Sequence, residues 1–211
     1  MYVDEDGDGR RFVGHRRPSA ALGRALAAAW HRGGRLVAVR PELGRPDPEP
    51  LHGRHEPYRQ ESYINALNGG VERVFDPLTE QFSGDPLLRE LLVLLGRMFS
   101  AVDGTPVWNI KLHPYRITAG EQVGHPAPEG RHRDGVTFIT SLLISRTNVE
   151  GGESGVYTDE DEHLLTVTLT EPGDLLLGDD ARTTHSVTPV RPVDGSAPAH
   201  RDVLVIAYTA R

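Results

Sequence analysis

The chain has 211 residues, no cysteine and a formal net charge of −7. Its length suits one domain with a sizeable core. The missing cysteine excludes disulfides, thiolate metal sites and cysteine nucleophiles, and the acidic balance argues against a general nucleic-acid binder, which needs a basic face. No apolar run approaches the roughly 20 residues of a membrane-spanning helix, and the acidic start Met1 to Asp8 has no signal-peptide character. A soluble cytoplasmic protein, residues 1–211 as a single domain, is the expectation.

Asp4, Asp6, Asp8 and Gly9 resemble the start of a calcium loop, but His15 stands where the bidentate glutamate belongs. A solvated acidic tail is expected there. Ser19 to His31 reads as an alanine-rich helix with a serine cap, ended by Gly33-Gly34. Arg35 to Val39 reads as a strand, and residues 41–57, rich in proline, glycine and charge, as a long loop. Asp76 to Gln81 and Pro86 to Val102 read as helices, the second with Asp85 as its cap and a broad leucine face. Trp30 and Trp108 suit core positions.

From Trp108 the pattern changes. Short β-like runs recur at 107–117, 136–146, 153–158, 163–169, 174–178, 184–190 and 201–209, separated by turn sequences such as Glu-Gly-Gly and Glu-Pro-Gly-Asp. This spacing predicts a mainly β fold with flanking helices, an antiparallel sandwich or jelly roll. Residues 1–105 would form a mixed helical support and 106–211 the barrel.

His132 and Asp134 flank one residue, and His185 follows 53 residues after His132. On an extended segment, residues i and i+2 point to one side, so His132 and Asp134 can reach one ion. Two imidazoles and one carboxylate suit Fe(II), and three protein ligands leave open positions for a cosubstrate and O2. Gly130 and Gly135 bracket the pair and permit tight turns. Strands are expected to begin just after the ligands at Val136 and around His185. His113 and His125 read as structural or exposed histidines. On the first barrel strand, Asn109, Lys111, His113 and Tyr115 share one face and Arg116 takes the other.

The stretches Glu129–Val136, Arg146–Ser154, Asp179–Pro189 and His200–Val205, with Tyr58-Arg59-Gln60 and Asn65 upstream, resemble the 2-oxoglutarate and Fe(II)-dependent dioxygenases. More narrowly, they resemble the bacterial family of free amino acid hydroxylases that includes the L-isoleucine 4-hydroxylases. The resemblance covers roughly residues 55–209. It implies a double-stranded β-helix, with His132, Asp134 and His185 holding Fe(II) and Arg201 pairing with the distal carboxylate of 2-oxoglutarate. A C–H bond of a small substrate, an L-amino acid in the first instance, would be hydroxylated by O2, with succinate and CO2 as co-products. Halogenases of this kind lack the carboxylate, so Asp134 favours hydroxylation.

Arg201 also stands on physical grounds, because guanidinium binds carboxylate bidentately and a buried arginine needs a partner. Arg191, six residues after His185, is the alternative; prolines 189, 192 and 198 put it on a loop. Position 203 is valine, so Thr140 or Tyr208 is expected to hold the carboxylate's other oxygen. Asn109, Tyr58, Arg59 and Glu153 are the candidate substrate contacts. A carrier- or peptide-bound amino acid is the close alternative. A non-oxidative cupin-type metal protein is the distant one, which would show two closely spaced histidines and a glutamate where this chain has His-x-Asp. Nothing in the sequence fixes an oligomeric state.

Overall fold

The computed structural model describes residues 2–3, 13–16, 38–39, 50–51, 70, 72, 77–105 and 107–211. The helix expected over Ser19 to His31, Asp4 to Gly9, Trp30, Tyr58, Arg59 and Asn65 lie outside these residues. The described elements run β1 (Tyr2–Val3), β2 (Val13–Arg16), β3 (Ala38–Val39), β4 (Pro50–Leu51), α1 (Glu80–Ser83) and α2 (Pro86–Asp103). They continue with β5 (Trp108–Ala119), β6 (Phe138–Thr147), β7 (Val149–Gly151), β8 (Glu153–Thr158), β9 (His163–Thr168), β10 (Leu175–Asp179), β11 (Thr183–Val187), β12 (Val190–Pro192) and β13 (Ala199–Ala210).

The helix α2 begins where its sequence requires. The Asp85 carboxylate accepts from Leu87 N–H and Leu88 N–H, Pro86 occupies the first turn, and Gly104 closes the end with φ 82°. Its buried face, Leu88, Leu91, Leu92, Leu95 and Phe99, packs on Trp108, Ile110, Leu112, Phe138, Leu142, Ile144, Leu204, Ile206 and Tyr208. Each such side chain, fully buried, contributes about 1.5–3 kcal/mol. Trp108 is buried with Phe99, and its indole N–H donates to Gly96 O and Ser100 Oγ. The expected helix at 76–81 instead forms the short α1, four residues further along and capped by Thr79.

Among the described residues, a large sheet has the order β1-β2-β10-β6-β13-β5, and a smaller one the order β11-β8-β9. All pairings within them are antiparallel. The large sheet carries α2 on its outer face. Its inner face meets the small sheet through Leu143, Leu176 and Val203 against Val156 and Leu169. This is the jelly-roll core the spacing predicts. The expected run 184–190 divides into β11 and β12. The second of these pairs with β7, so Arg191 sits on a short strand rather than a loop. The expected loop 41–57 likewise contains β4, which pairs with β3. No helix among the described residues is long and apolar enough to cross a membrane.

One irregularity matters for function. On β13, Asp202 faces Ser145 but Val203 faces Leu143, which leaves Ile144 as an extra residue in β6. The bulge resets the alternation, and Arg146 comes to lie opposite Arg201.

Candidate active site

His132 and His185 are brought together by the backbone itself. They form an isolated antiparallel bridge in which each N–H donates to the other's carbonyl at 2.9 Å, and their ring centroids are 4.5 Å apart. The turns on either side of the His-x-Asp segment need glycine, since Gly130 and Gly135 have φ of 78° and 76°. Arg133, between the ligands, points the other way. Its guanidinium donates to the Thr183 carbonyl and to Asp159, which ties the ligand segment to β11.

The ring nitrogens are set by their partners. His132 Nδ1 lies 2.9 Å from Gly130 O. A carbonyl can only accept, so Nδ1 carries the proton and Nε2 presents a lone pair. His185 Nε2 is 3.4 Å from Asp134 Oδ2, and its Nδ1 is 3.8 Å from Asp180 Oδ1. One nitrogen or oxygen from each of His132, Asp134 and His185 lies within 4.8 Å of the others. Burial disfavours charge on Asp134, but the contact with His185 and the field of His132 outweigh it and hold its pKa below the usual carboxylate value. Burial also disfavours charge on His185, and Asp134 and Asp180 outweigh it to raise that pKa. Three such donors on one side of a point fit a divalent iron with open positions.

Asp180 is the residue that sequence reasoning left without a role. It is 1% exposed. Its carboxylate accepts from Asp134 N–H at 3.1 Å and Val136 N–H at 3.0 Å while facing His185. It therefore joins both halves of the ligand set. Burial, and then the nearby Asp134 charge, push its pKa up.

The triad opens onto a cavity of about 690 Å3 that also contains Arg201. Asn109, Lys111, His113 and Tyr115, which alternation places on one face of β5, line it. Arg116 reaches its edge but is held by Asp202, to which it donates from Nε at 2.8 Å and Nη2 at 2.7 Å. His113 and His125 line the cavity yet fall outside the metal-binding cluster.

Three expectations require correction. Thr140 and Tyr208 do not face the cavity. On β13, Arg201, Val203, Val205 and Ala207 point inward, whereas Tyr208 points at α2 and its hydroxyl donates to Leu92 O. Thr140 lies opposite Ile206 on that same outer side and donates to its carbonyl. Both hydroxyls are thus fully committed in the helix-packed core. Glu153 is exposed at the start of β8 and is absent from the cavity wall.

Arg201 is 3% exposed, and its Nε has no hydrogen-bond partner. Beside it, Arg146 Nη1 is also buried and unpartnered, while Nη2 donates to Gly151 O. Gly152 sits where the two side chains converge: its φ of 69° favours glycine, and a Cβ there would come within 3.1 Å of Arg201 Cδ and 3.3 Å of Arg146 Nη1. Burial and then Arg146 lower the Arg201 pKa to about 10. The buried Arg201 guanidinium and the half-buried Arg146 beside it each keep one buried, unpartnered N–H group, an arrangement that fits an anionic group such as a carboxylate. Arg191, by contrast, is exposed.

The chain matches the family model for 2OG-Fe dioxygenases over residues 34–207. A 3(1)-hydroxy-L-isoleucine 4-dioxygenase from Pantoea ananatis (strain AJ13355) is 25% identical over 161 residues, 74% of this chain and 65% of that protein. The chain thus spans just under two thirds of this relative's length. A crystal structure of a BsmA homologue from Methylobium petroleophilum PM1 superimposes with a TM-score of 0.77 at 31% identity, covering 93% of this chain and 88% of the other. IDO from Bacillus thuringiensis shares the fold, with a TM-score of 0.73 at 18% identity over 94% and 91% of the two chains.

Proposed function

Because the chain belongs to the 2OG-Fe dioxygenase family, an oxidoreductase that uses Fe(II), 2-oxoglutarate and O2, we propose that it hydroxylates a free L-amino acid. In this reading His132, Asp134 and His185 hold the iron and Arg201 receives the distal carboxylate of 2-oxoglutarate. The observation that carries it is the cavity itself: a His-Asp-His cluster and a buried guanidinium lacking a counter-charge open into one space.

When bound, the iron and 2-oxoglutarate together supply O2 activation coupled to loss of CO2. The chain's own residues do the rest. The Gly130 carbonyl accepts from His132 Nδ1, so its Nε2 lone pair faces the metal position, and the Asp180 carboxylate lies 3.8 Å from His185 Nδ1 on the side away from Asp134. Asp180 fixes the Asp134 backbone. Arg201, backed by Arg146, sets the far end of the cosubstrate. Val187, Val203, Val205 and Ile139 give the cavity a partly apolar wall that excludes water around the reacting centre.

The curated relative's name describes oxidation of a hydroxylated L-isoleucine at carbon 4, which supports an amino-acid substrate. Asn109 and Lys111 place polar groups on the wall where such a molecule would lie. The test is succinate formation by Fe(II)-loaded enzyme given 2-oxoglutarate, ascorbate and air across the proteinogenic L-amino acids. Mass spectrometry follows a product heavier by one oxygen atom. Succinate and that product rising together with one amino acid is the expected result. Succinate at background with every amino acid, despite 2-oxoglutarate binding, would move the substrate to a carrier- or peptide-bound residue.

A further inference from the structure

The charged groups on the cavity wall separate by role. His132, Asp134 and His185 converge on the metal position, Arg201 faces the cosubstrate end, and Arg116 is paired with Asp202. Of the acidic side chains on that wall, Glu129 is the one outside the metal cluster. Its side chain is 15% exposed, and Oε1 lies 3.4 Å from His132 Nε2. No lysine or arginine pairs with it among the described residues.

The His132 tautomer makes this contact informative. Nδ1 holds the proton, donated to Gly130 O, so Nε2 is an acceptor, as is the Glu129 carboxylate. Two acceptors facing each other at 3.4 Å do not stabilise one another. Each needs a cation. The iron position satisfies Nε2, and Glu129 stands beside that position as a largely buried carboxylate on the cavity wall.

We propose that Glu129 receives the substrate's α-ammonium group and keeps it protonated beside the iron. The inference rests on the free amino-acid reading above. Its chemical logic is that an α-amino acid with a neutral amine is a chelator through nitrogen and carboxylate oxygen. Such chelation would fill the positions that the cosubstrate and O2 need. A carboxylate at this point raises the ammonium pKa, removes the nitrogen lone pair from competition and pins one end of the substrate. Glu129 thereby acts as a specificity determinant, selecting amines over the corresponding deaminated acids.

The test is calorimetric binding under nitrogen to full-length enzyme loaded with Fe(II) and 2-oxoglutarate. The ligands are the aliphatic proteinogenic L-amino acids and, as the deaminated partner of L-isoleucine, 3-methylpentanoate. The wild type and Glu129→Gln are compared, with Fe(II) and 2-oxoglutarate affinities measured alongside. The expected result is a loss of about 10- to 100-fold in amino-acid affinity for Glu129→Gln, as for a truncated buried charge pair. Binding of 3-methylpentanoate should hold or improve, and Fe(II) and 2-oxoglutarate affinities should stay within about twofold. Undiminished amino-acid binding by Glu129→Gln overturns this inference and leaves the substrate reading intact. Wild-type enzyme that binds no amino acid overturns both. A tenfold loss of Fe(II) affinity in Glu129→Gln makes Glu129 a metal ligand and overturns the inference.

Discussion

Arg201→Met separates a binding role from a structural one, because the two predict opposite signs. The guanidinium has its pKa lowered from the ordinary 12.5 to about 10, by burial and then by Arg146. At about 1.4 kcal/mol per tenfold step, keeping it charged costs the ligand-free fold roughly 3 kcal/mol. A cation with a depressed folded pKa bears that cost in full below about pH 10, and the cost fades only as pH rises from there toward 12.5. At neutral pH, methionine of similar length removes the unpaired charge and keeps the packing. The ligand-free variant should therefore melt higher by up to about 6–12 °C, at about 2–4 °C per kcal/mol for a chain of this size. Affinity for 2-oxoglutarate should fall about 100-fold, since the distal carboxylate is left without its partner. Thermal melts with and without 2-oxoglutarate on metal-loaded protein, with calorimetry for affinity, read both effects. A lower melting temperature together with unchanged 2-oxoglutarate affinity would refute the argument and show that the protein itself satisfies the guanidinium.

Other substitutions probe the rest of the site. His132→Ala and Asp134→Ala should each abolish 2-oxoglutarate turnover and iron retention after dialysis, measured by succinate release and metal analysis; near-native activity in either would void the metal assignment. Asp180→Asn, which keeps an acceptor for the backbone N–H groups but no charge facing His185, should weaken Fe(II) binding about 10- to 100-fold in a competition titration with a chelator, while circular dichroism shows a folded protein. The Arg116–Asp202 pair is structural. Burial opposes the Asp202 charge, but Arg116 and Ser145 hydrogen bonds outweigh it and lower the pKa. Its stabilisation is present above the unfolded value of about 4 and is lost as pH falls through the folded pKa. Asp202→Asn should thus reduce stability at pH 7 and bring the variant's urea midpoint closer to wild type in strong acid.

Much of this was legible in the sequence because strand alternation and residue chemistry speak locally. The barrel strands, the Asp85 cap and the leucine face of α2 follow from period and capping. The His-x-Asp segment needs only an extended backbone between glycines. Thr140 and Tyr208 show the same rule ignored. Arg201 and Tyr208 are an odd number of residues apart on one strand, so they face opposite sides, and Tyr208 could not have joined Arg201 at the carboxylate. Asp180 left a fainter sign: two acids, Asp179 and Asp180, close the strand that opens with the apolar Leu175-Leu176-Leu177, where an acid is costly unless something uses it.

Arg146 was beyond sequence reasoning for a definite physical reason. A regular β6 with Leu143 inward would send Arg146 outward, and only the extra residue at Ile144 turns it toward Arg201. A one-residue slip reverses every later side chain, and nothing in Leu-Leu-Ile-Ser-Arg announces it. The consequence is energetic as well as geometric. The bulge places a second cation against one that burial already penalises, an arrangement that lowers the stability of the empty fold and raises its affinity for a carboxylate. The fold thus gives up stability at the same point where it gains a cosubstrate site, and that is why the stability of Arg201 variants reports on function.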